Sequence, residues 1–417
     1  MNSRLVALVA GCSLTASAVF AADWPQWRGP DRNEVSKESG IRTKFGPDGP
    51  KLLWTVENLG NGYSGPAVVG NVLYILGADD SEFATAINTN SGKEIWRTPL
   101  GSRFKNGPWG DGPRSTPTVD GDRIYFIRAE GGLHCLDANT GKEIWRKDFK
   151  KDFKGQLMSG WGYSESPLID GDHLVCTPGG NEGSIICLNK ATGETIWRCK
   201  ELSDKAAYAS IIPAEVDGVR QYIQVLHQGI AGVRASDGKR LWYYERPGRT
   251  ATIPTAIYHD HHVFVTAGYG VGCDLIKLTK DGEKFTAEQV YANKNMTNHH
   301  GGVVLLNGYI YGYSDGKGWV CQDFNTGEIK WDQKGRAPGK GSVTCVGGYL
   351  FCYDESTGNV HIGPATPKGW KETGVIKLPK KSSIRSPNGR FWTHPVIANG
   401  KLYLRDQDLL FCFDVKG

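Results

Sequence analysis

Seven residues scattered through the 417-residue chain carry the chemistry of a binding site if the fold brings them together: Arg114, Trp161, Glu165, His299, His300, Trp392 and His394. Small-molecule pockets combine apolar walls that supply area with a few guanidinium, carboxyl, imidazole or indole groups that fix orientation. Tyr63, Ser64 and Thr252 join the same set by position. The plainer reading of the three histidines is that they are hydrogen-bonded wall residues, because a neutral imidazole serves that purpose as readily as ligand contact. Spacing alone assembles no nucleophile, base and orienting partner, so no catalytic residue is assigned. The run "HDHH", His259 to His262, invites a metal reading. It stands where other segments carry an Asp-Gly hairpin turn, its adjacent imidazoles would point different ways, and no Cys or His cluster lies nearby, so no metal ligand is assigned either.

The elements that must position these residues are written several times over. "LHCLDANTGKEIW" (Leu133 to Trp145) returns as "IICLNKATGETIW" (Ile185 to Trp197), with further copies ending at Trp96, Trp242 and Trp331. Upstream of the copies a second stretch recurs, as in "STPTVDGDRIYFI" from Ser115 and "SESPLIDGDHLVC" from Ser164. Each unit reads as four short strands: alternation places one face inward, and Asp-Gly or Thr-Gly turns supply the positive φ that tight turns need. Four antiparallel strands repeated in this way describe a β-propeller blade. Trp markers fall at 54, 96, 145, 197, 242, 331 and 370, and the double gap after Trp242 holds a unit that keeps its turn at Gly282 but lacks the Trp. That makes eight units, roughly one per 45 residues. The chain stops at a turn, in "LLFCFDVKG", and the missing outer strand is available as "GPKLLW", Gly49 to Trp54. The predicted fold is therefore all-β, an eight-bladed propeller of four-stranded antiparallel blades over residues 49–417, closed by pairing the N-terminal strand with the C-terminal blade so that no edge is left open. In such a ring the residues just ahead of each innermost strand surround one mouth of the channel, which is where the seven candidates fall.

Residues 1–21, "MNSRLVALVAGCSLTASAVFA", carry one Arg, an uncharged stretch and a small-residue end, the pattern of a secretory signal cleaved near Ala21. An alternative inside it is the lipobox-like "VAGC", which would make Cys12 a lipid anchor. Either way the chain is expected to be exported to the periplasm or cell envelope, with a strap at 22–48 and no transmembrane span after signal removal. Cys135, Cys187, Cys321 and Cys412 share one repeat position in four blades, too far apart to bond, and read as small buried thiols. Pairing among Cys176, Cys199, Cys273, Cys345 and Cys352 is left open.

"CLDANTGKEIW" resembles the tryptophan-docking repeat, A-x-D-x-x-T-G-x-x-x-W, of the pyrroloquinoline-quinone (PQQ) family of eight-bladed propellers, and "AADWPQWRGPDRNEV" resembles the start of a bacterial branch of exported PQQ-like proteins. The likeness covers nearly all of the chain beyond the leader. It implies the fold and leaves activity divided between quinoprotein dehydrogenases and non-catalytic scaffolds of the BamB kind. The alcohol-oxidising members hold PQQ between a Trp and a disulfide of adjacent cysteines, with Ca²⁺ on oxygen ligands. This chain has no Cys-Cys pair, no C-x-x-C-H haem motif and no calcium ligand set that maps residue by residue.

Charge points the same way. The segments that join blades carry 24 Lys and Arg against 10 Asp and Glu, whereas the whole chain is only +5. Runs such as "RKDFKKDFKG" and "KLPKKSSIRSPNGR" supply much of the excess, which describes a basic loop face able to attract an anionic small molecule, an acidic polysaccharide or an envelope protein. Export disfavours nucleic acid as the partner. The expectation is an exported, non-catalytic binding or scaffold propeller without cofactor; the alternative is a PQQ- and Ca²⁺-dependent oxidoreductase with a variant site at the channel mouth. The seven residues named first are the candidate ligand contacts in both. Polysaccharide hydrolysis ranks third, since no paired-carboxylate signal is recognisable.

Overall fold

The computed structural model describes residues 22–417; the predicted leader and Cys12 lie outside them. Eight antiparallel sheets follow one another along the chain, seven of four strands and one of five. In each the first strand is the inner one, for example Ala67–Val69 in blade one, and the last is the outer one, Glu94–Ser102. The eighth blade closes the ring: its fourth strand is Leu52–Val56, which pairs antiparallel with Leu409–Asp414, Trp54 standing opposite Cys412.

The repeat residues hold the blades together in the way their chemistry suggests. Asp137 Oδ1 accepts from the backbone N–H of Asn139 and Thr140 at 3.0 and 2.8 Å, which shapes the turn. The outer-strand Trp then reaches into the turn of the next blade: Trp145 Nε1 donates to Lys190 O at 3.0 Å, Trp96 Nε1 to Ala138 O and Trp197 Nε1 to Ala235 O, both at 2.9 Å. A large apolar ring is buried while its single polar atom is satisfied. The turn glycine lets the ring approach. Gly193 lies at φ +72°, and a Cβ there would stand 2.8 Å from the Trp145 ring. Gly193→Ala should therefore destabilise the protein by about 2 kcal/mol, from positive-φ strain and overpacking together; a shift of thermal midpoint no larger than that of an exposed-loop control would refute this.

Cys135, Cys187, Cys321 and Cys412 each lie across from a docking Trp (Trp145, Trp197, Trp331 and Trp54), where only a small side chain fits. All nine cysteines among the described residues are buried free thiols.

Two markers differ from the sequence reading. Blade five has not lost its docking ring: Tyr291 occupies the place, opposite Leu275, and its hydroxyl donates to Phe324 O at 2.9 Å, the same bond by a different side chain. Trp370, counted as a marker, precedes the outer strand Gly374–Ile376 and lies against Gly363 of its own blade. Blade seven also moves its Asp-x-x-x-Gly turn. Residues Asp354 to Gly358 join its second and third strands, so this turn faces the channel mouth while those of other blades face away.

Residues 24–36 run inside the ring and fill its centre. Trp24 exchanges backbone hydrogen bonds with Val68 of blade one, both at 2.8 Å, and Pro25 O accepts from Val119 N of blade two. Arg32 donates to Ser166 O ahead of blade three, Trp27 to Thr255 ahead of blade five, and Arg28 to Val303 O of blade six. Val35–Ser36 then pairs parallel with Cys345 and Val346 of blade seven, the fifth strand of that sheet, and Ser36 donates to Ile397 O of blade eight. One strap thus ties seven blades together.

Candidate functional site: an aromatic cavity at the channel mouth

Above the strap a cavity of about 360 Å³ opens at the mouth of the channel. It is built almost wholly from the residues that lead into the inner strands. In five blades, counted back from the proline that opens the inner strand, residues at the third and first positions face the cavity: Tyr63 and Gly65, Arg114, Ser164, Ala251 and Ile253, Trp392 and His394. The intervening residue faces away at Ser64, Ser115, Glu165 and Thr252, whereas Thr393 also touches the cavity. Extended backbone turns alternate side chains to opposite sides, and that alternation sorts the candidates.

Six of the seven predicted residues meet on this cavity: Arg114, Trp161, His299, His300, Trp392 and His394. Glu165 does not. It holds the intervening position, where other blades place Ser64, Ser115 and Thr252, and it is 2% exposed. Ser64 Oγ and Ser115 Oγ accept from the backbone N–H of the second strand, at Leu76 and Ile127; Glu165 does the same with Thr177, taking its N–H at 2.7 Å and its hydroxyl at 2.9 Å. Burial pushes the Glu165 carboxyl up to about 8 despite those hydrogen bonds and the Arg32 charge. It is a wall residue. "HDHH" likewise stays apart from the cavity: His259 and His262 lie on a hairpin beside Phe324, and His261 pairs with Asp217 at 2.8 Å.

The cavity's polar groups fall into two kinds. Some are already engaged. Glu355, on the displaced turn of blade seven, accepts from His300 Nε2 at 2.6 Å and Trp392 Nε1 at 2.9 Å. Burial alone would raise its carboxyl, but those two N–H groups and the Lys340 charge hold it down at about 2. Desolvation keeps His300 below the ordinary imidazole value, against the pull of the Glu355 carboxylate beside it. His394 Nδ1 lies 3.2 Å from Glu34 of the strap and its ring meets Trp27 edge-on at 4.5 Å. Others are free. His299 meets Tyr269 edge-on at 4.8 Å but has no hydrogen-bond partner among the described residues, and burial, with His300 and Lys340 beside it, pushes its imidazole down to about 3. Arg114 is pinned by Gly110 O at 2.7 Å and by Gly112 O, and stacks over Phe104 and Tyr63.

Sequence reasoning missed Trp27, Trp109, Tyr208, Tyr269 and Glu355. A signal existed for Glu355: "DESTGN" follows the second strand of its unit, after "GGYLFCYD", which puts that turn on the opposite face from the others. Nothing local marks Trp27, because it reaches the cavity only by threading the ring. The loop charge also changes in the fold. Acidic residues at or beside the connections between second and third strands share this face and pair with the basic loops, as in Arg246 with Asp274 at 2.6 Å, Lys340 with Asp315 at 2.8 Å and Arg385 with Asp406 at 2.5 Å. Lys380 pairs with Glu57 at 2.5 Å.

The sequence matches the family described as outer membrane protein assembly factor BamB over residues 37–125 and 106–333. No curated protein is a sequence match for the chain. Among solved structures it is similar to BamB from Moraxella catarrhalis, with TM-score 0.61 and 17% identity over 88% of this chain and 98% of that one. It is similar to the quinohemoprotein alcohol dehydrogenase of Comamonas testosteroni, with TM-score 0.64 and 12% identity over 95% and 81%. The computationally designed Ika8 protein follows with TM-score 0.59 and 10% identity over 87% and 99%. Identities this low speak for the fold alone. The sequence match spans well over half of the chain and the blades are eight, so this chain belongs to the PQQ-like β-propeller family described as outer membrane protein assembly factor BamB.

Proposed function

We propose that this protein is a non-catalytic binding propeller of the cell envelope that captures an anionic ligand in the cavity at its channel mouth. The carrying observation is the composition of that cavity: aromatic walls, one arginine, and no carboxylate among its lining residues. A hydrolase or a proton-transfer enzyme needs a free acid or base beside the reacting bond. Here the nearest carboxylate, Glu355, is engaged by His300 and Trp392, Glu34 lies beneath the cavity on the strap with Thr344 donating to it, and the free imidazole of His299 is pushed down to about 3, too weak a base to take a proton at ordinary pH. The family's description and the predicted leader support an envelope location.

The second reading, a PQQ-dependent oxidoreductase, draws on the aromatic walls and on the dehydrogenase among the structural neighbours. Its donor set does not fit. Calcium takes six to eight oxygen ligands, and no group of three or more His, Cys, Asp or Glu among the described residues could hold a metal. The disulfide face is also missing, since all nine described cysteines are separate free thiols. Titrating the protein with PQQ and Ca²⁺ while following cofactor absorbance and dye reduction decides between the readings. No turnover is expected; saturable binding accompanied by dye reduction would replace the binding-protein reading with the enzyme.

A further inference from the structure

Resting on the reading that this cavity binds an anion, we infer that its ligand is the end of an acidic saccharide, a pyranose ring whose carboxylate meets Arg114 and whose hydroxyls meet His299 while its flat faces lie on tryptophan and tyrosine.

Three independent features of the cavity converge on that chemistry. The first is its rings. Trp109 is 43% exposed at the rim and Tyr269 is 37% exposed, although large aromatic side chains gain most when covered. Trp109 meets Trp161 at 6.5 Å and Trp161 meets Tyr208 at 6.3 Å, so the exposed ring continues an aromatic wall into the cavity. A pyranose presents flat C–H patches that cover such faces and keeps hydroxyls around its edge, and it suits a site that is apolar on its walls and polar at a few points.

The second feature is the set of unspent hydrogen-bonding groups. His299 is a neutral imidazole at ordinary pH, with one donor and one acceptor, neither engaged among the described residues. The indole N–H groups of Trp109 and Trp161 also lack a partner there, whereas those of Trp27 and Trp392 are taken by Thr255 and Glu355. A purely hydrocarbon ligand would desolvate these groups without replacing their bonds to water, at a cost for each. A hydroxyl both donates and accepts, which is what His299 offers in reverse.

The third is charge. Arg114 is the one arginine or lysine lining the cavity, and it has no ion-pair partner among the described residues. Its guanidinium is held in place by two backbone carbonyls and two rings, so a planar carboxylate meets a preorganised fork. One cation matches one carboxylate. A planar tricarboxylate such as PQQ would leave two charges uncompensated against aromatic walls, and a cationic ligand would face Arg114 directly.

The test is titration of the whole exported chain with trigalacturonate and with tetramers of hyaluronate and alginate, each beside its methyl ester, following tryptophan fluorescence and heat. At least one acid should quench saturably, and its ester, neutral but otherwise the same ring, should bind about tenfold more weakly or worse. Trp161→Ala and His299→Ala should each weaken the acid by about tenfold with thermal midpoints near wild type, and Arg114→Gln should remove the difference between acid and ester. If Arg114→Gln fails to fold, the acid-to-ester ratio in wild type still decides. The proposal is overturned if no acid in the panel binds, if acid and ester bind equally, or if Trp161→Ala keeps full affinity. Those outcomes leave the binding-protein reading intact, which quinone turnover alone would overturn.

Discussion

Arg28→Ala lowers the stability of the folded ring by about 3–5 kcal/mol, the expected cost of removing one partner from a buried ion pair. Arg28 is 1% exposed in the middle of the channel. Its Nη2 donates to Val303 O at 2.7 Å, its Nε donates to Arg32 O at 3.2 Å, and it lies 3.6 Å from the Glu34 carboxylate. Alanine leaves that carboxylate in low dielectric with only the Thr344 hydroxyl and the His394 ring beside it, and it detaches the strap from blade six. The charge belongs to the pair, so Arg28→Ala with Glu34→Gln should recover part of the loss; such coupling is what a double-mutant cycle isolates. Urea unfolding of the four proteins measures it. A single-mutant loss below about 1 kcal/mol, typical of a surface pair, would mean that the strap does not brace the ring. Trp27 of the same strap meets His394 edge-on at the cavity, so a loosened strap should also lower ligand affinity there.

Glu165→Gln should flatten the pH dependence of stability between about pH 4.5 and pH 8. The carboxyl titrates at about 8 in the folded protein, raised by burial, against 4.5 for the free group. Between those values the folded chain keeps a proton that the unfolded chain has released. Stability from this site is therefore fully present below pH 4.5, falls as pH rises, and is lost above about 8. Glutamine keeps a neutral side chain at every pH and still offers an oxygen to the Thr177 N–H. The variant should be close to wild type at pH 5 and more stable than wild type by a few kcal/mol at pH 9, each unit of pKa difference being worth about 1.4 kcal/mol. Paired denaturation curves at the two pH values check this; parallel behaviour of the two proteins would show that Glu165 is ionised and paid for elsewhere. The same comparison tests whether this residue is wall or site, because a wall role predicts unchanged ligand affinity in the variant.

How much was legible in advance differs by residue. The alternation around each inner-strand proline was present in the sequence, and applying it would have set Glu165 with Ser64 and Ser115 and apart from Arg114. The Tyr291 substitution was harder to see: a hydroxyl replaces an indole N–H at the same reach, and the equivalence shows only in the bond to Phe324. The basic loop face was overstated because only the segments between blades were summed. The inner connections of the same face bring Asp274, Asp315 and Asp406, and residues far apart along the chain cancel one another once folded.

The number of blades, the strand order within them and the closure by Leu52–Val56 were readable from residue types and spacing. The strand order rests on short-range causes that any one repeat contains, turn residues at fixed offsets and alternation along single strands; the count and the closure follow from repeating that unit along the whole chain and finding its last strand at the start. What the centre of the ring holds emerged with the folded chain. Trp27 touches Thr255 and Arg28 touches Val303, 228 and 275 residues away, and Glu355 becomes part of the mouth by bonding His300, 55 residues back. A local pattern can put Glu355 on the right face, but no local pattern encodes its partner or those of Trp27 and Arg28, because these contacts exist only when the circle has closed and the strap has filled the hole it leaves.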